Sequence, residues 1–436
     1  MVPEPFPPRL HLYGWRDRTV IGLALASMAA GFGQFGVVSA LGSVARDLGH
    51  VHAGTSMSDV IGLSGGEIGL GLALIRLASL GSLPLIGLAD RFGRRPLLLG
   101  TLTLGLTLTF LAAFAPTYWW FVAIFACGRP LLSAGNGLTE VMAAEETSRH
   151  SRASAVALIT AGYGIGAGLT AIIHSLAGNV LGFRGLFLLV SVPLVCLPLL
   201  ARWIAEPDRF ALAEATAAPR RPVLGAVATP FRRHLAIIAT LSFFLSAMAG
   251  PANSFVFLYA QNILHQAGSV TALMVLAAAV TGLAGLLAGR WLADHLGRRP
   301  TGAATLMALG LCAIVTYSGT SLALVVGYLV GIFAGSAFAP AIGAITTELF
   351  PTAVRASAIG WSVVAGVLGA VAGLLVFGEI ADLRNNFSGA ALLTFGPAVL
   401  AAILFWLLPE TNGKELEELW PDEVPAGTLE FLDGDA

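Results

Sequence analysis

Long apolar blocks, broken by short polar ones, run the length of this chain. Apolar windows occupy 19–41, 63–88, 96–115, 118–141, 154–178, 184–204, 234–260, 270–292, 301–318, 321–347, 356–378 and 388–408. Each is close to the roughly 20 residues that a helix needs to cross the hydrocarbon core of a bilayer. The pattern predicts an all-α membrane protein of twelve transmembrane helices, arranged as two pseudo-symmetric six-helix bundles. One long polar interior stretch, 205–233, holds Glu206, Asp208, Arg209, Arg220, Arg221, Arg232 and Arg233 among four prolines. It reads as a linker. The expected organisation is an N-terminal half at 1–204, a cytoplasmic linker at 205–233, a C-terminal half at 234–410 and an acidic cytoplasmic tail at 411–436.

The polar blocks repeat. Gly87-Leu88-Ala89-Asp90-Arg91-Phe92-Gly93-Arg94-Arg95-Pro96 returns as Trp291-Leu292-Ala293-Asp294-His295-Leu296-Gly297-Arg298-Arg299-Pro300. A second mark follows each copy, Glu145 to Arg152 in the first half and Glu348 to Arg355 in the second. Asp90 and Arg152 are 62 positions apart, Asp294 and Arg355 are 61. Two marks in the same order at nearly the same spacing indicate a duplicated unit of half the chain.

Composition agrees with lipid as the outer solvent. The 436 residues are 56% hydrophobic and 11% charged, against about 25% charged in an average soluble domain. Mean hydropathy is +0.82. A balance of 24 basic and 25 acidic residues argues against a nucleic-acid partner. Cys127, Cys196 and Cys312 all fall inside apolar runs and read as packed residues, neither a disulfide framework nor a metal set. Arginine sets the orientation. The linker, the 89–96, 142–153 and 293–300 loops, Arg355, Arg9, Arg16 and Arg18 all fall on one side; the other holds little beyond Arg46, Arg184 and Arg384. The richer side is the cytoplasmic one, so both termini are expected inside.

The 87–96 stretch matches, at every fixed position, the Gly-x-Leu-Ala-Asp-Arg-x-Gly-Arg-Arg signature of the major facilitator superfamily, secondary transporters that this chain resembles over nearly its whole length. The second copy departs at Trp291 and His295. Glu348 to Arg355 and Pro409-Glu410-Thr411-Asn412-Gly413 resemble marks of the branch with sugar porters and organic-ion transporters, and Glu206-Pro207 is a weaker echo. The resemblance implies two parallel six-helix repeats that rock about a mid-membrane site. It also implies a cytoplasmic gating network, Asp90, Arg94, Glu145 and Arg152, with a counterpart in Asp294, Arg298, Glu348 and Arg355. The plainer alternative is arginines that set topology plus a helix cap. In the family, spans one, four, seven and ten line the cavity. Carried over, these give Gln34, Asn136, Asn253, Ser254 and Tyr259, with Phe333 and Phe338 as apolar walls. Each of the polar ones also fits the role of interhelical glue. Pro251 is placed to break the seventh helix.

Ionisable residues deep in a span are functional candidates by default. Arg76 and Arg129 stand near the middle of the second and fourth spans and suit an anionic substrate; the alternative is structural pairing with carbonyls or with an acid from another helix. Glu140 lies eleven residues after Arg129 on the same helical face, about 16 Å along the axis at the helical rise. Glu140 and His174, in the fifth span, are the proton-coupling candidates, although a lone intramembrane His is also an ordinary packed hydrogen-bonder. Gly162, Gly164, Gly166 and Gly168 in that span lack the proline of the family's drug–proton antiporter motif.

No nucleophile elbow is present, and the glycines form no phosphate loop; Lys414 is the only lysine. No enzyme is expected, and no cofactor or metal. The leading expectation is a proton-coupled importer of a small organic anion or polar metabolite, acting as a monomer in a bacterial inner membrane. The alternatives are proton-driven efflux of drug-like compounds, uncoupled facilitated diffusion, and a transporter-like receptor that moves nothing.

Overall fold

The structure, a computed structural model, describes residues 14, 16–50, 57–147, 151–207 and 231–412, without the side chains of residues 57, 58, 90, 152, 153, 352, 353 and 356. Most of the expected linker and tail therefore lies outside the described residues. Among those described there are helices and no strand.

Among the described residues eleven helical runs are long and apolar enough to span a membrane: Arg18–Ser39, Gly65–Ala89, Arg94–Phe114, Tyr118–Glu146, Ser154–Ala201, Arg232–Ile263, Gly268–His295, Arg298–Thr316, Ser321–Glu348, Ser357–Arg384 and Phe387–Leu407. The fifth run, at 48 residues, is two spans. Gly182 interrupts it with φ 58° and ψ −169°, in the left-handed region that glycine tolerates. The break falls between the apolar windows 154–178 and 184–204, so the fold is the twelve-span one. Large apolar side chains face outward along it, Val180 at 90% and Val195 at 76% exposed, as a hydrocarbon surround permits.

Packing divides the chain into two compact units. One comprises Met1–His50 and Leu74–Arg220, the other Val51–Ala73 and Arg221–Ala436. The second span thus changes unit partway along, between Ala73 and Leu74.

Glycine sets the helix spacing inside each unit. In the first, a Cβ on Gly162 would meet the Ala24 carbonyl oxygen at 2.5 Å, and one on Gly166 the Met28 oxygen at 2.0 Å. The fifth span therefore lies directly on the backbone of the first, while Gly164 has nothing within 4 Å. The second unit repeats the device. Gly369 and Gly373 of the eleventh span abut the Phe243 and Ala247 carbonyls, and Gly285 and Gly289 of the eighth abut those of Phe333 and Ala337. Between helices in lipid, close backbone approach is a main source of attraction.

The duplicated loops have the same internal wiring. Gly93 (φ 90°) and Gly297 (φ 104°) make the turns. Glu206 accepts the Arg94 and Arg95 backbone amides at 2.6 and 2.8 Å. Glu410 accepts those of Arg298 and Arg299 at 2.9 and 3.1 Å. Each acid thus satisfies the free amides that open a helix and complements its dipole.

Candidate functional site

In the first unit the polar residues of the first and fourth spans meet. Arg129 Nη1 donates to the main-chain oxygen of Gln34 at 3.4 Å, and Ser133 Oγ donates to Gln34 Oε1 at 3.4 Å. The Gln34 side chain is buried, at 3% exposure. Arg76 comes within electrostatic range of Arg129, and Tyr163 of the fifth span is within range of both. Both guanidinium Nε atoms are buried without a hydrogen-bond partner. Among the described residues no carboxylate ion-pairs with either arginine. Uncompensated cations in a low-dielectric setting are costly, and an anion is the group that relieves the cost. The sequence offered no sign of Tyr163, a lone aromatic in a glycine run.

One level below, Ser27 Oγ lies 2.7 Å from Asn136 Oδ1 and 3.0 Å from the Ile159 carbonyl oxygen. Asn136 Nδ2 donates to Glu140 Oε1 at 3.3 Å. Asn136 therefore joins a chain to Glu140, apart from Arg129. His174 is elsewhere, its Nε2 2.7 Å from Ser43 Oγ.

In the second unit a cavity of about 580 Å³ opens between the seventh, ninth and tenth spans, with Asn253, Ser336, Tyr317, Tyr328 and Phe338 on its walls. Asn253 Nδ2 is held by the Ala249 carbonyl at 2.8 Å, leaving its Oδ1 as an acceptor. Phe338 packs edge-on against Phe405, centroids 5.9 Å apart. Tyr259 lines a different, smaller cavity of about 360 Å³ with Asn262 and His265; its hydroxyl accepts the Gly319 amide at 2.9 Å. Neither Ser254 nor Phe333 is on the wall of the larger cavity. The seventh helix runs through Pro251 and ends at Ser254. The carbonyl of Ala252, a residue of the cavity wall, accepts from Tyr317 Oη at 2.7 Å.

The expected gating residues divide in the same way. Arg94 pairs with Glu145. Arg298 reaches Glu348 at 3.4 Å and Asp294 at 3.8 Å, and also bonds Asn412. Arg355 donates to the Phe350 carbonyl at 3.2 Å. The side chains of Asp90 and Arg152 lie outside the described residues. Glu206 and Glu410, the acids that cap the loops, had appeared in the sequence only as echoes of family marks.

A family model described as Major Facilitator Superfamily matches residues 23–302, and one described as Sugar (and other) transporter matches 213–422. A probable 4-methylmuconolactone transporter of Cupriavidus pinatubonensis is 27% identical over 381 residues, covering 82% of this chain and 85% of its own. The 3-(3-hydroxy-phenyl)propionate transporter of Escherichia coli is 29% identical over 340 residues, 74% of this chain and 80% of its own. Among solved structures, the inward-open xylose transporter XylE of E. coli superposes with a TM-score of 0.71 at 19% identity, over 92% of this chain and 98% of that one.

Proposed function

The chain belongs to the major facilitator superfamily and is a multi-pass secondary transporter, not an enzyme; from that premise we propose that it imports a small organic anion together with a proton. The observation that carries the anion is Arg76 with Arg129, two cations in one unit that share no carboxylate among the described residues. A carboxylate both accepts charge-assisted bonds of about 1.5–3 kcal/mol and neutralises the buried cations, which a neutral solute does not do. Relatives whose names specify 3-(3-hydroxy-phenyl)propionate, 4-methylmuconolactone and niacin support the same class. Transport proceeds by alternating access with the solute bound at mid-membrane. The loop networks of Arg94 and Arg298 act as cytoplasmic latches that part and re-form during the cycle. The protein works as a monomer in a bacterial inner membrane, with both termini in the cytoplasm.

The test is thermal stabilisation of the purified protein by carboxylates, quaternary amines and neutral sugars, on wild type and on Arg76→Ala. A ligand at 100 times its Kd stabilises by about 2.7 kcal/mol. Carboxylates are expected to raise the wild-type midpoint and to leave that of Arg76→Ala unmoved. Shifts confined to cations or sugars, equal in both proteins, overturn the anion reading.

A further inference from the structure

We infer that Glu140 is the site that carries the transported proton. The inference rests on the proton-coupled reading above and adds to it the group that is protonated. Within the described part of the first unit, Asp17 caps the start of the first helix, Asp47 sits in the short helix Leu41–Leu48 that follows it, Asp90 lies in the last turn of the helix Ser82–Phe92 with its side chain outside the described residues, Glu145 and Glu146 close the fourth helix, and Glu206 is engaged by the Arg94 and Arg95 amides. Glu140 stands inside the fourth span, half-buried. Its hydrogen-bond partner is the Asn136 amide at 3.3 Å. Among the described residues it forms no ion pair.

The chain behind it suits a group that changes charge. Asn136 donates through Nδ2 to Oε1, and that bond survives protonation, because a carboxylic acid still accepts at its carbonyl oxygen while the proton resides on Oε2. Ser27 fixes the Asn136 amide from the other side at 2.7 Å, and Ser27 is fully buried, at 0% exposure. The acid can therefore take and lose a proton with its supporting bonds intact. Arg129 lies on the same helix, eleven residues back and about 16 Å away at the helical rise, too far to lock Glu140 into an ion pair. His174 is the weaker carrier: its ring is tied to Ser43, and an imidazolium there would be within electrostatic range of Arg46. In the step itself one proton from outside adds to the Glu140 carboxylate, giving the neutral acid, and leaves to the cytoplasm when the halves have rocked. One proton with one monocarboxylate moves no net charge.

The experiment uses Glu140→Gln in proteoliposomes with 3-(3-hydroxyphenyl)propionate as probe. Gln keeps an oxygen for Asn136 and removes the titration. The expected result is loss of accumulation driven by a pH gradient, and of probe-evoked proton entry, while exchange of labelled for unlabelled probe at equal pH continues. Accumulation and proton entry at the wild-type level overturn the inference. Should exchange also fail, calorimetry in two buffers of different ionisation enthalpy decides. Probe binding retained without the wild-type proton uptake supports Glu140; retained proton uptake, or lost binding, assigns it a structural role. Absence of probe-evoked proton entry in the wild type removes the coupling reading together with the inference. Intact wild-type coupling with an unaffected Glu140→Gln removes the inference alone.

Discussion

The Glu206 carboxylate holds the Arg94 backbone amide at 2.6 Å, 112 positions away in the chain. Glu410 holds the Arg298 amide at 2.9 Å across the same 112 positions. The duplication is thus visible as wiring as well as sequence: each half ties the end of its sixth span back to the start of its third. Glu206→Ala and Glu410→Ala are each expected to destabilise by about 1–3 kcal/mol, the cost of leaving charge-assisted donors without their acceptor. The two sites share no partner, so the losses should add. Thermal unfolding of the single and double variants checks both statements.

Arg129 should tolerate removal of its charge better than its solute does. Its one protein bond among the described residues is a long contact to the Gln34 carbonyl, 3.4 Å. Arg129→Gln is expected to lower carboxylate affinity by about tenfold or more, from loss of about 1.5–3 kcal/mol, with the unfolding midpoint in the absence of solute unchanged or raised, since a costly buried charge is removed. Isothermal calorimetry beside a melt separates the two effects.

The glycines of the fifth span should divide sharply. Gly166→Ala places a methyl 2.0 Å from the Met28 carbonyl oxygen and must push the first and fifth helices apart. Overpacking of this kind typically costs about 1–3 kcal/mol. Gly164→Ala meets nothing within 4 Å and is expected to be neutral or slightly stabilising through its better helix propensity. Comparison of the two melts is the check.

Asp382 caps the N-terminal end of the second span. Its two carboxylate oxygens each accept one amide, from Gly65 and Gly66, both at 2.7 Å, and all three residues belong to the second compact unit. Ser64 and Glu67 complete a capping box, Glu67 N to Ser64 Oγ at 3.1 Å and Ser64 N to Glu67 Oε2 at 3.2 Å. Asp382→Ala is expected to cost about 1–3 kcal/mol, and Asp382→Asn less, because an amide oxygen still accepts one of the two bonds. Amide hydrogen exchange at Gly65 and Gly66 should quicken in the same order.

The sequence by itself determined the number of spans, their near boundaries, the duplication and the residue types at depth. Membrane crossing needs a length of apolar helix, which is a local property of the chain and is readable in one dimension. It also flagged Arg76, Arg129 and Glu140, because ionisable side chains are rare in such segments. Partners were decided by the tertiary structure alone. Only helix packing brings Arg76 and Tyr163 within electrostatic range of Arg129, strings Ser27 to Glu140 through Asn136 and puts Tyr259 in a different cavity from Asn253 and Phe338. It also showed Glu206, Glu410 and Asp382 to be helix caps, a role that their place along the chain does not display. Those contacts join positions up to 317 residues apart in the chain, and their geometry follows from the rotation and close approach of whole helices, which no window along the sequence records.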